Sequence, residues 1–177
     1  MSRHASSSPD KSFYLPLYLF ACAGIALAIY YLPDYTFLEE LTARYSAGLS
    51  GLFGVQLRYW HDQGSVVLNG FRIVKDCTGV QVLAFLGGLL LPAGHVPVVK
   101  KVLVLSTASS GLLVVNALRI AVQIVTYHLG IFHWTVAHDV FGWIASVAVM
   151  FTLVVAYAKL VPEFEEFLLD AVASITY

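Results

Sequence analysis

Charge is what this sequence has least of. Only 12% of its 177 residues are Asp, Glu, Lys or Arg, and 59% are hydrophobic. A soluble domain carries about a quarter charged residues. The net charge of −1 leaves no basic field of the kind that binds nucleic acid, so no nucleic-acid partner is expected. Cysteine is nearly absent too. Cys22 lies in an apolar run and Cys77 beside a polar, glycine-dotted stretch, which is no disulfide framework. Zinc-type Cys/His spacings, the Gly-x-Gly-x-x-Gly pattern and the phosphate-loop pattern are all missing, so neither a metal nor a cofactor is expected. What remains, with a mean hydropathy of +0.78, is an integral membrane protein.

About 20 apolar residues are needed to cross a bilayer as a helix. On that measure four spans are expected, at 13–32, 78–99, 102–130 and 140–161. The second is strongly apolar only over Val80–Pro92, which is short for a crossing. The first run is followed by bulky "YYLPDY" rather than small residues, and reads as a retained span, not a cleaved leader. The expected architecture is therefore an all-α polytopic membrane protein, a compact bundle of about four transmembrane helices. Its parts are a disordered cytoplasmic N-terminus (1–12), a transmembrane domain (13–161) with an extracytoplasmic segment (33–76), and an amphipathic C-terminal tail (162–177). Within 33–76, "FLEELTARYSAGLSGLFG" has the spacing of an interfacial helix. "QLRYWHDQGSVVLNGFRIVKD" alternates between turn signals at Asp62-Gln63-Gly64 and Asn69-Gly70, which reads as a small β-hairpin or two.

Lys and Arg concentrate on the cytoplasmic side of short loops. Arg3, Lys11, Lys100, Lys101 and Lys159 fall on one side if the N-terminus is inside, although Arg44, Arg58, Arg72 and Lys75 fall on the other. This topology puts three chemically capable residues at one membrane level. Cys77 precedes the second span, and His138 precedes the fourth. Arg119 lies 17 residues beyond Val102, about 26 Å along a helix. Around Arg119 runs a one-sided polar row: Ser109, Asn116, Arg119 and Gln123. Polar groups inside a membrane are costly, which makes each a functional candidate.

The chemistry these side chains suit is thiol acyl transfer. A cysteine thiolate attacks, an imidazole moves the proton, and a guanidinium faces the developing oxyanion. Cys77 at a helix start would gain acidity, with Asp76 opposing it. Asn116 would orient Arg119 or His138, Asp139 would support His138 or cap the fourth span, and Gln81 and Gln123 are supporting polar groups. Plainer readings exist for each. Cys77 is then a small hydrophobe, Arg119 a residue snorkelling to headgroups, Gln123 glue between helices, and Trp134 and Trp143 members of an interfacial belt.

"CTG" at Cys77–Gly79, "NALR" at Asn116–Arg119 and "AHDVFGW" at Ala137–Trp143 together resemble the exosortase/archaeosortase family. The resemblance covers roughly residues 57–160. It implies a membrane cysteine transpeptidase or protease with Cys77, Arg119 and His138 as its catalytic residues. Its partners would be exported proteins bearing a C-terminal sorting signal, the lipid bilayer, and a membrane partner protein if the short chain needs one. The active site would face the extracytoplasmic side of the inner or plasma membrane. Many members have about eight spans, and Thr78 stands where Ser is common. The rival readings are a non-catalytic membrane scaffold or assembly factor and a small transporter subunit.

Overall fold

A computed structural model describes residues 11–94 and 96–162. The expected tail and most of the expected disordered N-terminus lie outside the described residues. The chain runs α1 (Lys11–Tyr31), α2 (Thr36–Ser50), a short 3-10 turn (Gly51–Phe53), strands β1 (Tyr59–Asp62), β2 (Ser65–Leu68) and β3 (Phe71–Ile73), and a second 3-10 turn (Lys75–Thr78). It continues with α3 (Val80–Leu90), α4 (Val98–His128), a π-helical turn (Val136–Val140) and α5 (Phe141–Leu160).

Two helices, Val98–His128 and Val136–Ala156, are each long and apolar enough to cross a membrane. α1 and α2 pass that test only as a pair bent by 71°. Among the described residues, two spans, or three counting the bent pair, meet this test of length and composition, where four were expected. The miss falls at the second span. α3 holds only 11 residues, about 16 Å of helix against a hydrocarbon core of about 30 Å. Pro92 and Pro97 flank the irregular link that follows. Prolines cannot donate to a continuing helix, so the apolar run breaks there. The buried Lys101 Nζ donates to the Leu91 carbonyl at 2.8 Å, satisfying an acceptor at the C-terminal end of α3.

α3 lies against α1 through two glycines. A Cβ on Gly88 would come within 2.6 Å of the Cys22 carbonyl oxygen, and one on Gly87 within 2.6 Å of Ile29 Cδ1. α2 lies on α4 through a buried row of small residues, Thr42, Ala43, Ser46 and Ser50. Ser46 Oγ reaches the Ala117 carbonyl at 3.0 Å.

The fold is not purely helical. β1, β2 and β3 form a three-stranded antiparallel meander, with Asp62 paired to Ser65 and Leu68 to Phe71. Its two tight turns hold Gln63-Gly64 and Asn69-Gly70, all four residues at positive φ, as two-residue hairpin turns of type I′ require. Val66, Leu68 and Ile73 turn inward and share a core with Ala43 of α2 and with Ile120 and Ile124 of α4. The meander is thereby clamped to one end of the bundle, and it delivers the chain directly into the turn that carries Cys77.

Candidate active site

A cavity of about 680 Å³ opens where β3, the second 3-10 turn, α4 and the start of α5 meet. This is an ordinary size for a ligand site. Cys77, Arg119 and His138 all line it, with Gln81, Gln123 and Asp139. Six of the eight residues singled out from the sequence therefore share one cavity. Asn116 lies beside it, lining a small adjoining recess with Gly79, Gln81 and Arg119.

Cys77 does not stand at a helix start. It sits in the Lys75–Thr78 turn, and Gly79, at φ +79°, separates that turn from α3. Gly79 is required twice over, by its left-handed backbone and by Asn116, whose Nδ2 would lie 1.9 Å from an added Cβ. Asn116 thus seats the CTG turn on α4, and it makes no hydrogen bond to Arg119 or His138 among the described residues. The neighbours of the thiol are held by the end of α1. Tyr30 Oη donates to the Asp76 carboxylate, and Lys75 Nζ lies 3.9 Å above the Tyr30 ring.

The acidity expected of Cys77 is also reversed. Burial pushes the thiol above its ordinary value of 9.0. A hydrogen bond from the Val74 backbone and the charge of Arg119 pull it down, while Asp76 and Glu39 push it up. Desolvation disfavours the thiolate more than one guanidinium favours it.

A candidate base stands in the π-helical turn that precedes α5. His138 Nδ1 and Asp139 Oδ1 are 2.8 Å apart, so the carboxylate engages one ring nitrogen and fixes the tautomer, leaving Nε2 for chemistry. The Asp139 side chain is spent on this contact, not on capping. The pair stands in a π-helical turn, an element that often marks functional sites. No hydrogen bond joins Cys77 to His138 among the described residues. Catalytic contacts of this kind commonly tighten only when substrate fills the site. Gln123 Nε2 donates to the His138 carbonyl at 3.4 Å, and Gly142 makes room for it, since a Cβ there would lie 2.7 Å from that nitrogen. Gln123 therefore joins α4 to the turn that carries the imidazole.

Arg119 is half-buried. Its Nη1 donates to Ser146 Oγ at 2.7 Å, and that hydroxyl donates to the Gly142 carbonyl at 2.8 Å. Its Nε is buried with no acceptor, a donor left over at a cavity wall. The polar row read from the sequence divides here, because Ser109 bonds back to the Leu105 carbonyl and lies away from the cavity.

The family model of transmembrane exosortases matches residues 11–155. The chain belongs to the transmembrane exosortase family. No curated protein and no solved structure matches it. The family match extends from α1 into α5, so it takes in the whole cavity; it begins well before the 57–160 stretch of the resemblance and ends just short of that stretch's end. An exosortase is a membrane protein, in agreement with the two long apolar helices.

Three cavity residues escaped the sequence reading. Ser146 follows Gly142 by four and His138 by eight, a helical repeat that could have exposed it. Trp134, read from the sequence only as a member of an interfacial belt, precedes His138 by four and stacks on it with ring centroids 4.9 Å apart. Phe71 stacks on the same indole at 4.0 Å, and nothing local in a strand of three residues signals this.

Proposed function

We propose that this exosortase is a cysteine transpeptidase or protease that cleaves C-terminal sorting signals of exported proteins. The family's members act on such signals. The observation that carries the reading is the single cavity lined by a thiol, a guanidinium and a carboxylate-paired imidazole. The catalytic unit is residues 13–161.

The scissile carbonyl carbon sits at Cys77. The Sγ proton passes to His138 Nε2 as Sγ bonds to that carbon. Arg119, fixed on one side by Ser146, donates a free N–H to the oxyanion. Collapse breaks the C–N bond, His138 returns its proton to the leaving amine, and a thioester remains on Cys77. An acceptor amine or hydroxyl, or water, then attacks the thioester carbonyl and gives its proton to His138; collapse breaks the C–S bond, and His138 returns that proton to the Cys77 sulfur. No step requires a metal or cofactor. Lys100 and Lys101 start α4 and Lys159 ends α5, whereas the cavity lies towards the other ends of both helices. Under the positive-inside rule these lysines support a cavity on the extracytoplasmic face of the inner or plasma membrane.

The test is co-expression with an exported reporter whose C-terminal signal is shared by a set of exported proteins from the same genome. Wild-type protein shortens the reporter, Cys77→Ala leaves it full length at equal expression, and a hydroxylamine-labile adduct forms on Cys77. Full processing by Cys77→Ala would refute the enzyme. Loss of a solute flux in Arg119 and Asn116 variants, with Cys77 dispensable, would establish a transporter subunit instead. An unprocessed reporter, with loss of an assembled partner on deleting the chain, would establish a scaffold.

A further inference from the structure

The His138 ring is engaged on its face as well as its edge. The Trp134 indole lies against it, 4.9 Å between centroids and 25° between planes. Phe71 covers the opposite face of that indole at 4.0 Å and 15°. Tyr127 meets Trp134 edge-on at 5.6 Å and Phe71 edge-on at 5.6 Å. The cluster draws on four separate places: β3, the last turn of α4, the α4–α5 connection and the π-helical turn. Phe71, Trp134 and His138 all line the cavity, and of these three only the imidazole brings a titratable edge to it.

We infer that Trp134, backed by Phe71 and Tyr127, is a positioning residue that holds the His138 imidazole for proton transfer and stabilises it as imidazolium. The inference rests on the proposed role of His138 as the base. Two effects follow from the geometry. An indole face fixed by a phenyl ring behind it gives His138 one ring plane, and the Asp139 contact fixes rotation within that plane, so Nε2 has one direction. When Nε2 takes the thiol proton, the cation forms over an indole face, whose negative quadrupole attracts it. The β-meander thereby acquires a role in the chemistry. Its turns set the register that puts Phe71 opposite Leu68, and Leu68 is fully buried in the core beneath.

Other groups also act on the imidazole. Asp139 faces it from its own turn. Arg119 and Gln123 face the cavity from α4, Arg72 from β3, and Asp76 and Cys77 from the second 3-10 turn. The two arginines oppose the cation and the two aspartates favour it. Substituting Trp134 changes none of these charges, and the comparison of Trp134→Leu with Trp134→Phe, which keeps a ring over the imidazole, separates stacking from altered exposure to water.

The experiment is a titration of the full chain in detergent micelles, following the His138 ring by NMR, with His138→Gln to assign its resonance. Trp134→Leu is expected to lower the His138 midpoint by about half a pH unit, the size of an exposed cation–π contact. Trp134→Phe should lower it by less. Phe71→Leu, which leaves the indole in place without its backing, should fall between wild type and Trp134→Leu. Reporter processing is expected to fall at least about tenfold in Trp134→Leu and to be largely restored in Trp134→Phe, with KM little changed. An unmoved midpoint in a folded Trp134→Leu protein overturns the inference, as does a moved midpoint with undiminished processing. The titration needs no substrate. A shifted midpoint in a chain that never processes a reporter would therefore refute the enzyme and leave the stacking effect standing.

Discussion

Cys77 has competing influences on a single proton. Burial and the carboxylates of Asp76 and Glu39 hold the thiol up, while Arg119 and the Val74 backbone hold it down. Removing one charge at a time gives a signed expectation. The rate of alkylation by a neutral reagent such as iodoacetamide follows the thiolate fraction, so in Cys22→Ala protein it should rise with pH through a midpoint above 9.0. Arg119→Leu deletes a charge that favours the thiolate and should move the midpoint higher. Asp76→Asn deletes one that opposes it and should move the midpoint lower. An unchanged profile in both variants would mean that neither charge reaches the sulfur. The same balance explains why a resting thiol is compatible with acyl transfer. In the proposed mechanism the thiol ionises only when His138 takes its proton, which would protect it from adventitious oxidation, since reactivity follows thiolate character.

Among the helices, the two closest approaches differ in what stands opposite the missing Cβ. At the α1–α3 crossing, Gly88 faces the Cys22 carbonyl oxygen, which belongs to a helix backbone and cannot yield without moving α1. At the α4–α5 crossing, Gly142 faces the end of the Gln123 side chain, which can swing away. Alanine at the two positions should therefore act oppositely. Gly88→Ala is expected to cost roughly 1–3 kcal/mol, as overpacked sites do, with processing following the folded fraction. Gly142→Ala is expected to cost about 1 kcal/mol or less, the scale of one hydrogen bond. It should lower processing out of proportion, because Gln123 then releases the His138 carbonyl. Thermal unfolding in detergent and reporter processing, measured on both variants, separate the cases. The strands between these crossings were legible because Asn69-Gly70 and Gln63-Gly64 announce their turns locally. The length of α3 was not, because apolar composition continues past Leu90 while Pro92 and Pro97 end the helix. Hydropathy measures what a segment prefers to touch, and backbone donors decide where a helix stops.

On the scale of the whole molecule, the meeting of Cys77, Arg119 and His138 was legible because each lies at a recognisable distance from an apolar boundary. It survives the loss of a full-length second span, since the cavity is built by α4, α5 and the meander. What stayed hidden was the orientation of each side chain, which depends on contacts between segments far apart in sequence. The Arg119–Ser146 bond spans 27 positions and the Tyr30–Asp76 bond 46. The span count bears on sidedness. α4 and α5 are the two long apolar helices, and the cavity lies at the junction where one ends and the other begins. Its side of the membrane therefore depends on these two helices alone, whichever way α1, α2 and α3 are disposed. Lys100, Lys101 and Lys159 sit at the far ends of this pair and argue for an outward-facing cavity, while Arg58, Arg72 and Lys75 sit near it and argue against. Thiol labelling decides between them. In intact cells producing Cys22→Ala protein, a membrane-impermeant maleimide is expected to block Cys77, and a single cysteine placed at Val99 in a Cys-free chain should react only after the membrane is opened. The reverse pattern would put the cavity in the cytoplasm, where no exported protein's processed end could meet it.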